Sequence, residues 1–225
     1  MTDVLQQYSP RMYDSLPGLV QANEDFALFG GIVKIDSALA SIAQKYPNAA
    51  SFGIQLLHRH CSLSSDEIML AWQGTTIPFK IQDIAPAKRA NNIVPTLWGL
   101  DPRTHTFTPL EFALVDDGSQ VPKLDENMAR DVAAILKAYG LDRILGLAVL
   151  PEGTQAGAEI TLDRSNIVLP ADVFASASSF IEVLWTINNP KDDPDATKRC
   201  KIYCSDYIPR NGKKEHIGTH IREYN

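Results

Sequence analysis

The sequence predicts an α+β fold, with a mixed or antiparallel β-sheet of about nine strands and two or three helices packed on it. Three observations predict this fold. Apolar residues recur at helical spacing in only a few stretches. Short alternating or continuous apolar runs, bounded by turn residues, fill most of the remainder. The two kinds of element do not alternate regularly, which argues against a doubly wound βα arrangement.

Taken in order, a short helix around 18–28 lies between the breakers Pro10 and Pro17 and the pair Gly30-Gly31. Ile32, Ile35, Leu39, Ile42 and Tyr46 then recur at spacings of three and four, with Lys34, Asp36, Ser41 and Lys45 between them. That is the pattern of an amphipathic helix, and Pro47 ends it. From Ser51 the period falls to two. Phe52, Ile54, Leu56, His58 and His60 point one way, and Gly53, Gln55, Leu57, Arg59 and Cys61 the other, which predicts one strand over 52–61. Polar residues 62–66 turn the chain into a second strand over 67–73, so the two are expected to form a hairpin.

Phe79 and Ile81 mark a third short strand, and further strands are expected near 96–98 and 107–115. Asp116-Asp117-Gly118-Ser119 has turn chemistry. Asp125 as N-cap, Gly140 as stop, and the stripe Met128, Val132, Ile135, Leu136 and Tyr139 frame a helix over 125–139. The near-continuous apolar run 144–150 reads as a buried strand. Strands at 158–162 and 166–169 flank the polar turn Asp163-Arg164-Ser165, and another runs over 180–187. Residues 188–195 read as an exposed loop. It separates the expected single domain, residues 1–190, from a polar C-terminal tail or appendage over 191–225, in which Cys200 and Cys204 sit on one face of a strand.

The chain has 225 residues, a length that suits one domain and buries a core without a staple. Its net charge of −6 disfavours a nucleic-acid partner, because phosphate contacts demand excess Lys and Arg. No apolar run reaches the length of roughly 20 residues that a membrane helix needs, so no membrane partner is expected. The N-terminal residues lack the basic start and apolar core of a signal peptide, and cytoplasmic residence is the default expectation. Three cysteines are too few, and odd in number, for a disulfide framework.

The strongest chemical lead is His58-Arg59-His60. Two residues apart on a strand, both imidazoles project from one face, where they could share a divalent metal ion, zinc or iron. Glu67 opens the next strand and could act as a third ligand or as a general base. The other residues on that face, Phe52, Ile54 and Leu56, place the pair at the rim of an apolar cavity. The stretch His58-x-His60 to Glu67-x6-Gly74 is similar to the first metal motif of cupins in its Glu-to-Gly spacing. It departs from that motif in the longer His-to-Glu spacing, and the chain is not assigned to that family.

The functional expectation is therefore a small-molecule-binding protein, leaning towards a metal-dependent enzyme that is hydrolytic or oxygen-using. The alternatives are a non-catalytic module that binds a ligand or a protein, and a structural zinc site from Cys200, Cys204, His216 and His220. His105 or a tail histidine could join the His58–His60 site, and Cys61 could serve as a nucleophile with a distant histidine. No nucleotide-cofactor glycine motif, P-loop or nucleophile elbow is found.

Overall fold

The computed structural model describes residues 8–46, 49–73, 75–84, 92–116, 118–119, 121–150, 157–162, 164–170, 181–187, 200–207 and 215–219. Among them are five α-helices: α1 (Pro10–Asp14), α2 (Leu19–Leu28), α3 (Gly31–Lys45), α4 (Ile81–Ile84) and α5 (Glu126–Tyr139). The strands are β1 (Phe52–Leu56), β2 (Glu67–Trp72), β3 (Thr75–Lys80), β4 (Ile93–Leu100), β5 (Phe107–Leu114) and β6 (Leu145–Val149). They continue with β7 (Gly157–Leu162), β8 (Ser165–Pro170), β9 (Ile181–Thr186), β10 (Cys200–Tyr207) and β11 (Glu215–Thr219). The fold is α+β, as the sequence predicts.

The strands close into a ring in the order β1-β6-β4-β5-β2-β3-β8-β7-β11-β10-β9, and β9 pairs back onto β1. Neighbours are antiparallel except β2 and β5, which run parallel with Met69 opposite Glu111. The sheet is therefore mixed. Closure gives each of the described strands two neighbours, which disposes of the polar backbone groups that an open sheet exposes at its edges.

Helices α2, α3 and α5 bury one face of the sheet. Ile35, Leu39 and Ile42 of α3 and Val132 and Leu136 of α5 meet Ile54, Leu56, Leu145 and Leu147 in one core. Phe26 of α2 stacks on Trp185 of β9, with ring centroids 5.2 Å apart. The α5 boundaries follow from their caps. Asp125 Oδ1 accepts from the backbone N–H of Asn127 and Met128, and Gly140 takes φ 69° just past the last turn. Between α3 and α5, Asp131 accepts the Tyr46 hydroxyl and pairs with Lys45 Nζ at 2.7 Å. A second core, on Tyr13 of α1, gathers Leu57, Met69, Leu97, Leu110 and Leu184.

Four expectations are corrected. The strand expected over 52–61 ends at Leu56, and residues 57–66 form a loop. That loop takes its backbone partners from the α1–α2 region. Arg59 N–H donates to Pro17 O, His60 N–H to Tyr13 Oη, and Leu63 N–H to Asp14 Oδ1. With its hydrogen bonds met there, the segment has no need of a strand partner. The expected hairpin between the first two strands does not form. β1 pairs with β6 and β9, while β2 turns into β3. Ile32, placed on the buried stripe of α3 by its spacing, is 69% exposed, because α3 begins only at Gly31, at a sharp elbow with α2. Finally, the segment 191–225, expected as a tail or appendage, supplies two strands of the ring, β10 and β11.

Candidate functional site

The loop 57–66 carries the predicted histidines. Leu57 anchors it by donating its N–H to Ile144 O, and its side chain lies against Gly146. A Cβ at Gly146 would stand 2.4 Å from Trp98 O and 2.6 Å from Leu57 Cδ2, so only glycine lets the loop seat there. His58 is buried, and its Nδ1–H donates to Leu56 O at 2.9 Å. The rings of His58 and His60 meet edge to face, with centroids 4.8 Å apart. The predicted adjacency of the two imidazoles is thus present, although it arises in a loop. Phe52, Ile54 and Leu56, which share the histidines' face by alternation, lie beneath the helices in the main core.

Glu67 faces a different partner. Arg164, in the turn between β7 and β8, approaches it with Nη2 at 2.5 Å from Oε2 and Nη1 at 3.1 Å from Oε1. Ser64 N–H donates to Oε2 at 2.8 Å. The guanidinium, then the Ser64 N–H, overcome the effect of burial and hold the carboxyl down at about 2. Such a carboxylate stays ionised and is a poor proton acceptor near neutral pH. Arg164 Nη2 also donates to Ser62 O at 2.8 Å, which ties the β7–β8 turn to the loop. Cys61 lies between Met69 Sδ, at 3.9 Å, and Arg164 O, at 3.8 Å. Burial pushes its thiol up, against the pull of Arg164, and so keeps it protonated rather than nucleophilic. The nearby Tyr8 hydroxyl donates to Glu67 O at 3.2 Å and is raised by its burial and then by Asp14, Glu111 and Glu67.

These contacts describe a brace between loop, turn and strand. Among the described residues, no group of three or more His, Cys, Asp or Glu side chains is arranged to hold a metal ion. His58 and His60 come together, while the Glu67 carboxylate is engaged by Arg164 and Ser64. Cys200 and Cys204 lie on β10 and His216 on β11, opposite Asp206, and only their backbone is described. His220 lies outside the described residues.

A cleft of about 810 Å³ opens elsewhere, between the β4–β5 hairpin, the segment 115–124 and α5. Trp98, Phe107, Pro95, Val121 and Leu124 give it an apolar wall, and Ala129 and Ala133 leave a shallow trough along α5. Its shape follows from local chemistry. Val115 N–H closes one end of the hairpin by donating to Asn92 O. At the other end, Asp101 O accepts from His105 N–H, and His105 takes the left-handed φ of 56° that brings the chain round. Ser119 N–H donates to Asp116 O across a turn in which Gly118 has φ 87°. Pro95 removes a donor from β4, and the β4–β5 register slips beside it.

His105 lines this cleft, and His58, His60 and Glu67 do not. Sequence reasoning singles out His105 but misses the cleft, whose lining is spread over three elements with no shared motif. It also misses Arg164, which stands in a turn of ordinary composition. No family model, curated protein or solved structure matches this chain.

Proposed function

We propose that the protein binds a small, mainly apolar molecule in the cleft between the β4–β5 hairpin and α5. The observation that carries this reading is the cleft itself. Its volume of about 810 Å³ lies within the range of ligand sites, roughly 300–1,000 Å³, and its walls combine two aromatic rings with a few polar groups at the margin. Of the three tryptophans, Trp98 lines the cleft and Trp72 and Trp185 do not. An environment-sensitive apolar dye should therefore bind with a change in tryptophan emission that disappears in Trp98→Phe. Ala133→Phe, which fills the trough, should abolish binding while the circular dichroism spectrum is unchanged. Equal binding by folded Ala133→Phe protein would overturn the reading.

A second reading is supported by the contact between His58 and His60. With Nδ1 of His58 committed to Leu56 O, its Nε2 is the nitrogen a metal would take. A divalent zinc or iron ion shared by the two rings would then drive hydrolytic or oxygen chemistry. Elemental analysis of untagged protein tests this. Stoichiometric metal in the wild type that is lost in His58→Ala/His60→Ala supports it, and metal-free protein after loading under anaerobic, metal-replete conditions sinks it.

A further inference from the structure

The margin of the cleft carries charges of both signs. Lys123 and Arg130 line it together with Asp116 and Glu126. None of the four forms an ion pair among the described residues, where the ion pairs are Lys45–Asp131, Lys80–Asp66, Arg103–Asp101 and Arg164–Glu67. Arg130 uses one donor on Asn127 Oδ1, at 3.3 Å, out of the five N–H groups that a guanidinium holds. Glu126 and Arg130 are four residues apart on α5, on the same stripe as Ala129 and Ala133. The helix thus presents an anion and a cation along its alanine trough.

From this arrangement we infer that the cleft takes a zwitterion with an apolar body, the class to which a short apolar peptide belongs. The inference rests on the cleft being a binding site. A ligand of one charge sign would pair with two margin groups and be repelled by the other two, so the margin supplies no net attraction to it. A ligand with an ammonium at one end and a carboxylate at the other pairs favourably with both sets, its ammonium with Asp116 and Glu126 and its carboxylate with Lys123 and Arg130. Its apolar side chains then leave water against Trp98, Phe107 and the trough, which supplies most of the affinity. The charged ends stay at the margin and keep part of their hydration, so they avoid the full cost of burying a charge.

The test is calorimetric titration of the full chain with four forms of leucylphenylalanine: free, N-acetylated, C-amidated and blocked at both ends. Pairs at an exposed margin are worth little each, so one block should weaken binding about threefold and two blocks about tenfold. Arg130→Gln should reduce the cost of amidation, with Lys123 retaining the remainder, and leave the cost of acetylation intact. Glu126→Gln should do the reverse. Doubly blocked peptide that binds as tightly as the free form, and is excluded by Ala133→Phe, would overturn the zwitterion inference and leave the cleft standing. The zwitterion inference likewise falls, with the cleft intact, if the apolar dye binds in a Trp98-dependent way and no peptide form does. If neither dye nor peptide binds, both readings fall.

Discussion

Glu67 and Arg164 couple the stability of this protein to acid. The Glu67 carboxyl is lowered from 4.5 to about 2, chiefly by the Arg164 guanidinium. Because the folded value is the depressed one, the stabilisation is complete above 4.5 and is lost as the pH falls towards 2. Arg164 is 41% exposed, so solvent screens the pair and a contribution of about 2 kcal/mol is reasonable. Urea denaturation of Glu67→Gln at neutral pH should show a deficit of that size, which narrows below about pH 4.5. A deficit constant with pH would mean that the loss comes from packing. Tyr46 offers a separate check at the alkaline end. Its hydrogen bond to Asp131 pushes the phenol up to about 12. In a spectrophotometric titration its ionisation should come late, and Asp131→Asn should bring it forward. Of these residues, Glu67 is visible in the sequence only as a metal ligand or base. Its partner is 97 positions away, and no periodicity announces a contact of that kind.

At the scale of elements, two glycines separate steric from conformational constraint. Gly140 takes φ 69° with nothing within 4 Å of a Cβ, so Gly140→Ala should cost about 1 kcal/mol through backbone strain alone. At Gly146 the added methyl meets Trp98 O and Leu57. Gly146→Ala should cost about 1–3 kcal/mol and should also shift the His58 and His60 ring resonances, since Leu57 leads into their loop. Thermal unfolding of both variants with NMR of the second checks this, and unmoved histidine signals would uncouple the loop from the sheet. The α5 helix is legible in the sequence because capping is local: Asp125 and Gly140 stand within one turn of the ends they set. The end of β1 is not legible. Alternation runs on through His58 and His60, while the groups that draw the chain away belong to Tyr13, Asp14 and Pro17. Apolar periodicity reports which faces can be buried, and it does not report where a backbone finds its hydrogen bonds.

At the scale of the molecule, the fold class is legible in the counts and spacing of the elements, and the closure of the sheet is not. The polar composition of the last residues argues for a tail, yet β10 and β11 link β9 to β7. Ending the chain after residue 190 is therefore expected to open the ring and leave β7 and β9 with unpaired edges, so that the truncated protein aggregates on size-exclusion chromatography. A monomeric truncated form with the full chain's near-ultraviolet spectrum would restore the appendage. Closure also has a kinetic side. Gly53 lies opposite Thr186, and β2 pairs in parallel with β5 only after β3, α4 and β4 have intervened. β1, first among the described strands, thus waits for β9, with Ile54 and Leu56 lacking their final cover until α5 and β6 have been made. Long-range pairing of this kind loses chain entropy on loop closure before any contact offsets the loss, so refolding should be slow for a chain of this length. In the cell, the interval between synthesis of β1 and arrival of β9 is the period in which this protein most needs protection by chaperones.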